Sequence, residues 1–189
     1  MAVILMPKAE ADAPLTGGGN TNPIHPTGVW NGKLLRVTGP EALPYVPKGS
    51  GYTTPSEIQV VRLMFGDSKS LEDEAPTNMK VFVDLTVQDG TVSIDGDADI
   101  PGTSWQMANS KKIIKRLAEV FESVEEVEID GKMYVATKDG FYDRLIAGEY
   151  TNAAIGYEVY HGKEYTVKRG TPDEAKRRDA LVKDFFTAV

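Results

Sequence analysis

Val81, Val83, Leu85 and Val87 alternate with Phe82, Asp84 and Thr86, and Asp89-Gly90 follows directly. A period of two puts every second side chain on one face of an extended chain, so the apolar set faces a core and the other set faces out. Wound as a helix, the same residues would form no stripe. Asp-Gly favours the positive φ at both positions that a two-residue hairpin turn requires. The signature returns downstream: residues 127–129 and 133–136 flank Asp130-Gly131, and residues 153–160 and 164–168 flank His161-Gly162. The pattern predicts three antiparallel hairpins, and hence a sheet whose strands pair with sequence neighbours.

Other segments fill in an α+β plan. Residues 29–37, with Trp30 near their start, and residues 58–65 read as two further strands, and residues 91–94 as the return of the first hairpin. Residues 39–55, with four prolines and Tyr45 and Tyr52, read as a long loop, and the acidic residues 66–77 as another. Ile113, Ile114, Leu117, Val120 and Phe121 make one apolar stripe, predicting an inserted helix over 110–122 capped by Asn109 or Ser110. A short helix is expected over 141–146, closed by Gly148. Thr171-Pro172-Asp173-Glu174 has the form of a capping box with proline at the first helical position. It predicts a C-terminal helix over 171–189 that buries Leu181, Val182, Phe185 and Phe186. Residues 1–28 hold four prolines and Gly17-Gly18-Gly19, and read as an extended arm. The expected organisation is therefore an arm (1–28), a β-rich core (29–170) and the terminal helix. The expected fold class is mainly antiparallel β with two to three helices, as an OB-fold-like barrel or a strongly bent sheet of hairpins.

Composition narrows the chemistry. The chain has no cysteine, which excludes disulfides and thiolate metal sites and fits a reducing, intracellular setting. No apolar run approaches the roughly 20 residues of a membrane helix, and the first six residues are too short for a signal-peptide core. Asp95, Asp97 and Asp99 stand at alternate positions as in a calcium loop, but Ile100 and Gln106 occupy the places where that loop needs glycine and a bidentate glutamate. The only histidines are His25 and His161, too few for a zinc site without cysteine. There is no Gly-x-Ser-x-Gly elbow and no phosphate loop. A non-enzyme without cofactor or metal is the expectation.

The net charge of −7 argues against a duplex binder, which needs a broad basic face. It argues less against a single-strand binder, because a local cationic groove with stacking rings can sit on an acidic body. Lys111, Lys112, Lys115 and Arg116 cluster on the predicted helix, ahead of an acidic run from Glu119 to Asp130. Tyr160 and Tyr165 flank the third turn, with Lys163, Lys168 and Arg169 close by. Rings give bases a surface to stack on, and cations follow the phosphates.

The order of strand, Asp-Gly turn, strand, Trp105, a helix holding Asn109 and Leu117, then a hairpin with Tyr160, Gly162, Lys163 and Tyr165 resembles small phage-encoded single-stranded-DNA-binding-like proteins. The likeness runs over residues 28–170 in order of elements. The arm has no counterpart in it, and the C-terminus lacks the acidic tail that many such proteins carry. What the resemblance implies is non-sequence-specific binding of single-stranded DNA in phage replication or recombination, in the host cytoplasm. The expected nucleic-acid contacts are Tyr160, Lys163, Tyr165, Lys168, Arg169, Lys111, Lys112, Lys115 and Arg116. Two other readings fit the same composition: a virion-type assembly subunit, and an acidic inhibitor that mimics nucleic acid. A homo-oligomer linked through the arm or the C-terminal helix is expected.

Overall fold

The computed structural model describes residues 24–45, 56–87, 104–168 and 174–189. Most of the arm, the first Asp-Gly turn with its returning strand, the Asp95–Asp99 loop, Arg169 and the first residues of the capping box lie outside the described residues. The elements run β1 (Gly28–Tyr45), β2 (Ser56–Ser70), β3 (Pro76–Thr77), β4 (Val81–Val87), α1 (Ser104–Val120), β5 (Val124–Ile129), β6 (Lys132–Thr137), α2 (Phe141–Ile146), β7 (Ala154–His161), β8 (Tyr165–Lys168), β9 (Glu174–Arg177) and β10 (Ala180–Phe186). The fold is α+β and mostly antiparallel β, as the alternation requires.

One sheet carries the core, in the order β10–β7–β1–β2, with β3 and β4 both pairing β2. Its far ends approach each other, β10 coming against β4, and α1 packs on both. Among the described residues no ladder joins β10 to β4, so the bent sheet stays open there. The inward phase of β4 is the predicted one: Val81, Val83, Leu85 and Val87 are buried, against Leu63 and Phe65 of β2, Leu117 of α1 and Tyr157 of β7.

β1 and β2 are longer than expected, and residues 39–45 and 66–70 extend strands instead of forming loops. A bulge absorbs Pro40: the β1–β2 register shifts between Thr38 and Glu41. Gly39 sits there at φ 103°, and a Cβ would stand 2.5 Å from the Val60 carbonyl oxygen, so only glycine fits. The second hairpin forms as predicted, β5 with β6 about Asp130 (φ 50°) and Gly131 (φ 74°). The short helix also stands at the expected residues.

Three expectations are corrected. The inserted helix spans Ser104–Val120 rather than 110–122. Ser110 is no cap but lies inside α1, where its hydroxyl accepts the Thr86 N–H at 2.9 Å and satisfies the open edge of β4. At the other end Ser123 N–H reaches the Ala118 carbonyl and Glu122 that of Glu119, a Schellman closure with Glu122 at φ 53°. Second, β7 does not pair with β8. Both its edges are taken, by β1 and β10, and β8 pairs with β9. Third, the C-terminal helix is absent: residues 174–177 and 180–186 are strands. Leu181, Val182 and Phe185 have helical spacing, but a bulge between Val182 and Asp184 lets an extended chain bury Phe185 beside Tyr157 instead. An oligomer built on that helix falls with it.

His25 ties the end of the arm to the body and is fully buried. Its Nδ1–H donates to the Pro26 carbonyl at 2.9 Å, so Nε2 is left to accept from the Tyr157 hydroxyl at 3.3 Å. Ser68 bonds that hydroxyl in turn, and the Trp30 ring stands edge-on to the imidazole at 4.8 Å. Burial holds the His25 pKa below its ordinary 6.5, with the His161 ring adding to the effect. The unfolded chain thus binds a proton that the folded chain refuses. Stability is full above pH 6.5 and falls as pH drops below that value towards the folded pKa. Thermal melts between about pH 7.5 and 5.5, the range in which an ordinary histidine titrates, should show a falling melting temperature for the wild type and a flatter profile for His25→Gln. Equal profiles would mean that His25 is not held neutral.

Candidate nucleic-acid interface

The outward phase of the sheet is as ordered as the inward one. Cross-strand register places Arg36 of β1, Met64 of β2 and Phe82 of β4 in one row, and Thr38, Arg62 and Asp84 in the next. Phe82 is 49% exposed, a large ring on the polar phase of an alternating strand. The Arg62 guanidinium lies 5.8 Å from the centre of that ring, within cation–π range. Its Nε and Nη2 donate to the two carboxylate oxygens of Asp84 at 2.7 and 2.8 Å, a bidentate pair that fixes the plane of the guanidinium. That bond and the charge of Asp84 push the Arg62 pKa further up.

This arrangement offers a flat aromatic surface, a guanidinium held beside it and a second arginine, Arg36, one strand away. Bases can stack on the ring and phosphates can meet the cations. Asp84 works in both directions, since it orients Arg62 and also cancels much of its attraction for an anion.

The described contact residues of the prediction fall into two groups, one along β7 and β8 and one on α1. Tyr160 is 44% exposed on β7, opposite Leu181 of β10. Lys163 is exposed in the following connection, and Tyr165 and Lys168 lie on β8, opposite Arg177 and Glu174. The other group lies on α1. Lys115 pairs with Glu119 at 2.6 Å, and Arg116 bridges Glu119 at 3.0 Å and Asp184 of β10 at 2.7 Å. Asp184 is three residues from Leu181, roughly 10 Å along a strand. Lys111 and Lys112, with Lys115, line a groove beside the β5–β6 hairpin. Arg36, Arg62, Met64 and Phe82 were missed. Their signal was Phe82 itself, sharing the outward phase with Asp84 and Thr86.

Among the described residues no group of His, Asp and Glu is placed to hold a metal ion, and no helix is long and apolar enough to cross a membrane. No protein-family model, curated protein or solved structure matches the chain.

Proposed function

We propose that the protein binds single-stranded nucleic acid, most readily single-stranded DNA, without sequence preference, across the outward face of β1, β2 and β4. The observation that carries the reading is the exposed Phe82 ring with the Arg62 guanidinium 5.8 Å from its centre and Arg36 in the same row. The sheet supports it. Counting the long strands β1, β2, β4, β7 and β10 as first to fifth, the order is 3-2-1-4-5, with a helix between third and fourth and the fifth lying against the third. This order is compatible with a five-stranded, partly open OB-type barrel, a fold whose second and third strands and two flanking loops form a surface for oligonucleotides. Here the second and third strands are β2 and β4. The connection between fourth and fifth carries Lys163, Lys168, Arg169, Lys176, Arg177 and Arg178. A place in phage replication or recombination is the role in which such binding would serve.

Fluorescence anisotropy with a labelled oligothymidylate and a duplex of equal length, titrated with salt, tests the reading. The single strand should bind more tightly. Engaging two or three cations should give a log–log salt slope of about −1.4 to −2.1, at about −0.7 per phosphate neutralised on a single strand. Absence of binding at low salt would overturn it.

A further inference from the structure

We propose that the groove between α1 and the β5–β6 hairpin receives the acidic strand β5 of a second copy of this chain. The groove holds about 580 Å³, and its apolar wall is built from Ile114, Tyr134, Val135 and Phe141. Tyr134 and Val135 are about half exposed on a two-stranded hairpin that packs against α1, so their apolar surface is only partly covered within one copy. The charged residues of the lining are Lys111, Lys112, Lys115 and Lys138 against Asp139 and Asp143. On a chain of net charge −7, this is a cationic site with an apolar wall. Lys115 also pairs with Glu119, but that pair is partly exposed and exchanges partners at little cost.

β5 has the complementary chemistry. Its sequence VEEVEI exposes Glu125, Glu126 and Glu128 together with Ile129. The groove is lined by β6 and by no residue of β5, so β5 is the strand of the hairpin that does not face the groove of its own copy. Donor and acceptor are different surfaces, which makes the contact head-to-tail, and such contacts propagate into open chains unless the rotation closes them. The inference does not rest on nucleic-acid binding.

Sedimentation velocity on the full chain, over a concentration series at low and high salt, tests it with two charge reversals. One carries Lys111→Glu and Lys112→Glu; the other carries Glu125→Lys, Glu126→Lys and Glu128→Lys. The wild type should self-associate and dissociate with salt. Each variant alone sets like charges against each other, and its association should weaken about tenfold or more. An equimolar mixture of the two variants should associate again, because each now complements the other; two misfolded proteins could not restore each other in this way. A wild type that stays monomeric at every concentration, or a mixture that stays apart, overturns the proposal. So does a groove variant that loses oligothymidylate binding while self-associating like the wild type, an outcome that assigns the lysines to nucleic acid.

Discussion

Phe82→Ala should weaken binding of an oligothymidylate by about 5-fold to 150-fold, since stacking on one ring contributes roughly 1–3 kcal/mol per base and each 1.4 kcal/mol is tenfold. The melting temperature should hardly move. The ring is half exposed on the outward phase of β4, so its removal opens no cavity in the core. Phe82→Trp should keep or raise affinity, because the stacking surface is retained. Asp84→Asn gives the complementary result: with the carboxylate gone, Arg62 turns its full charge to the phosphates, so binding tightens and the salt slope steepens. If Phe82→Ala leaves affinity unchanged, the interface lies elsewhere on the molecule, with Tyr160 and the β8–β9 segment next to be examined.

Phe65→Ala, one strand away on the inward phase, should do the opposite. The ring is fully buried, with the rings of Tyr157 and Phe185 centred 5.8 and 5.1 Å away. Truncating a buried phenylalanine costs about 3–5 kcal/mol. Against a total stability of about 5–15 kcal/mol for an ordinary domain, that is a large share. Urea unfolding should show the midpoint falling with little change in slope, the sign of lost stability rather than a changed unfolded state. A loss below about 1 kcal/mol would mean that this layer is not packed as described. Phe65 and Phe82 together separate the two faces of the sheet, one read as stability and the other as affinity.

The parts of the fold legible in the sequence were those set by local chemistry. β4 showed in its alternation, the β5–β6 hairpin in Asp130-Gly131, and α2 in its closing Gly148. What could not be read locally was partnership. His161-Gly162 resembles a hairpin turn, yet the Gly162 N–H bonds the Asp179 carbonyl and β7 finds its neighbours in β1 and β10. Leu181, Val182, Phe185 and Phe186 suit a helix stripe or a bulged strand, and short apolar runs leave that ambiguity open until a partner strand decides it. The candidate interface was half legible for the same reason. Alternation fixed which residues share a face with Phe82, but the alignment of Arg36 and Met64 beside it comes from register across three strands.

β1 lies between a near neighbour and a remote one. β2 follows it in sequence, whereas more than a hundred residues separate Lys33 from its partner Ala154. Closing such a span before any contact rewards it is entropically expensive and makes folding slow, on the scale of milliseconds to seconds for chains dominated by distant pairings. The surface that carries Arg36, Arg62 and Phe82 belongs wholly to the near side of that divide. Its geometry depends on one contiguous stretch of chain, while the speed with which the molecule becomes whole depends on the β1–β7 seam.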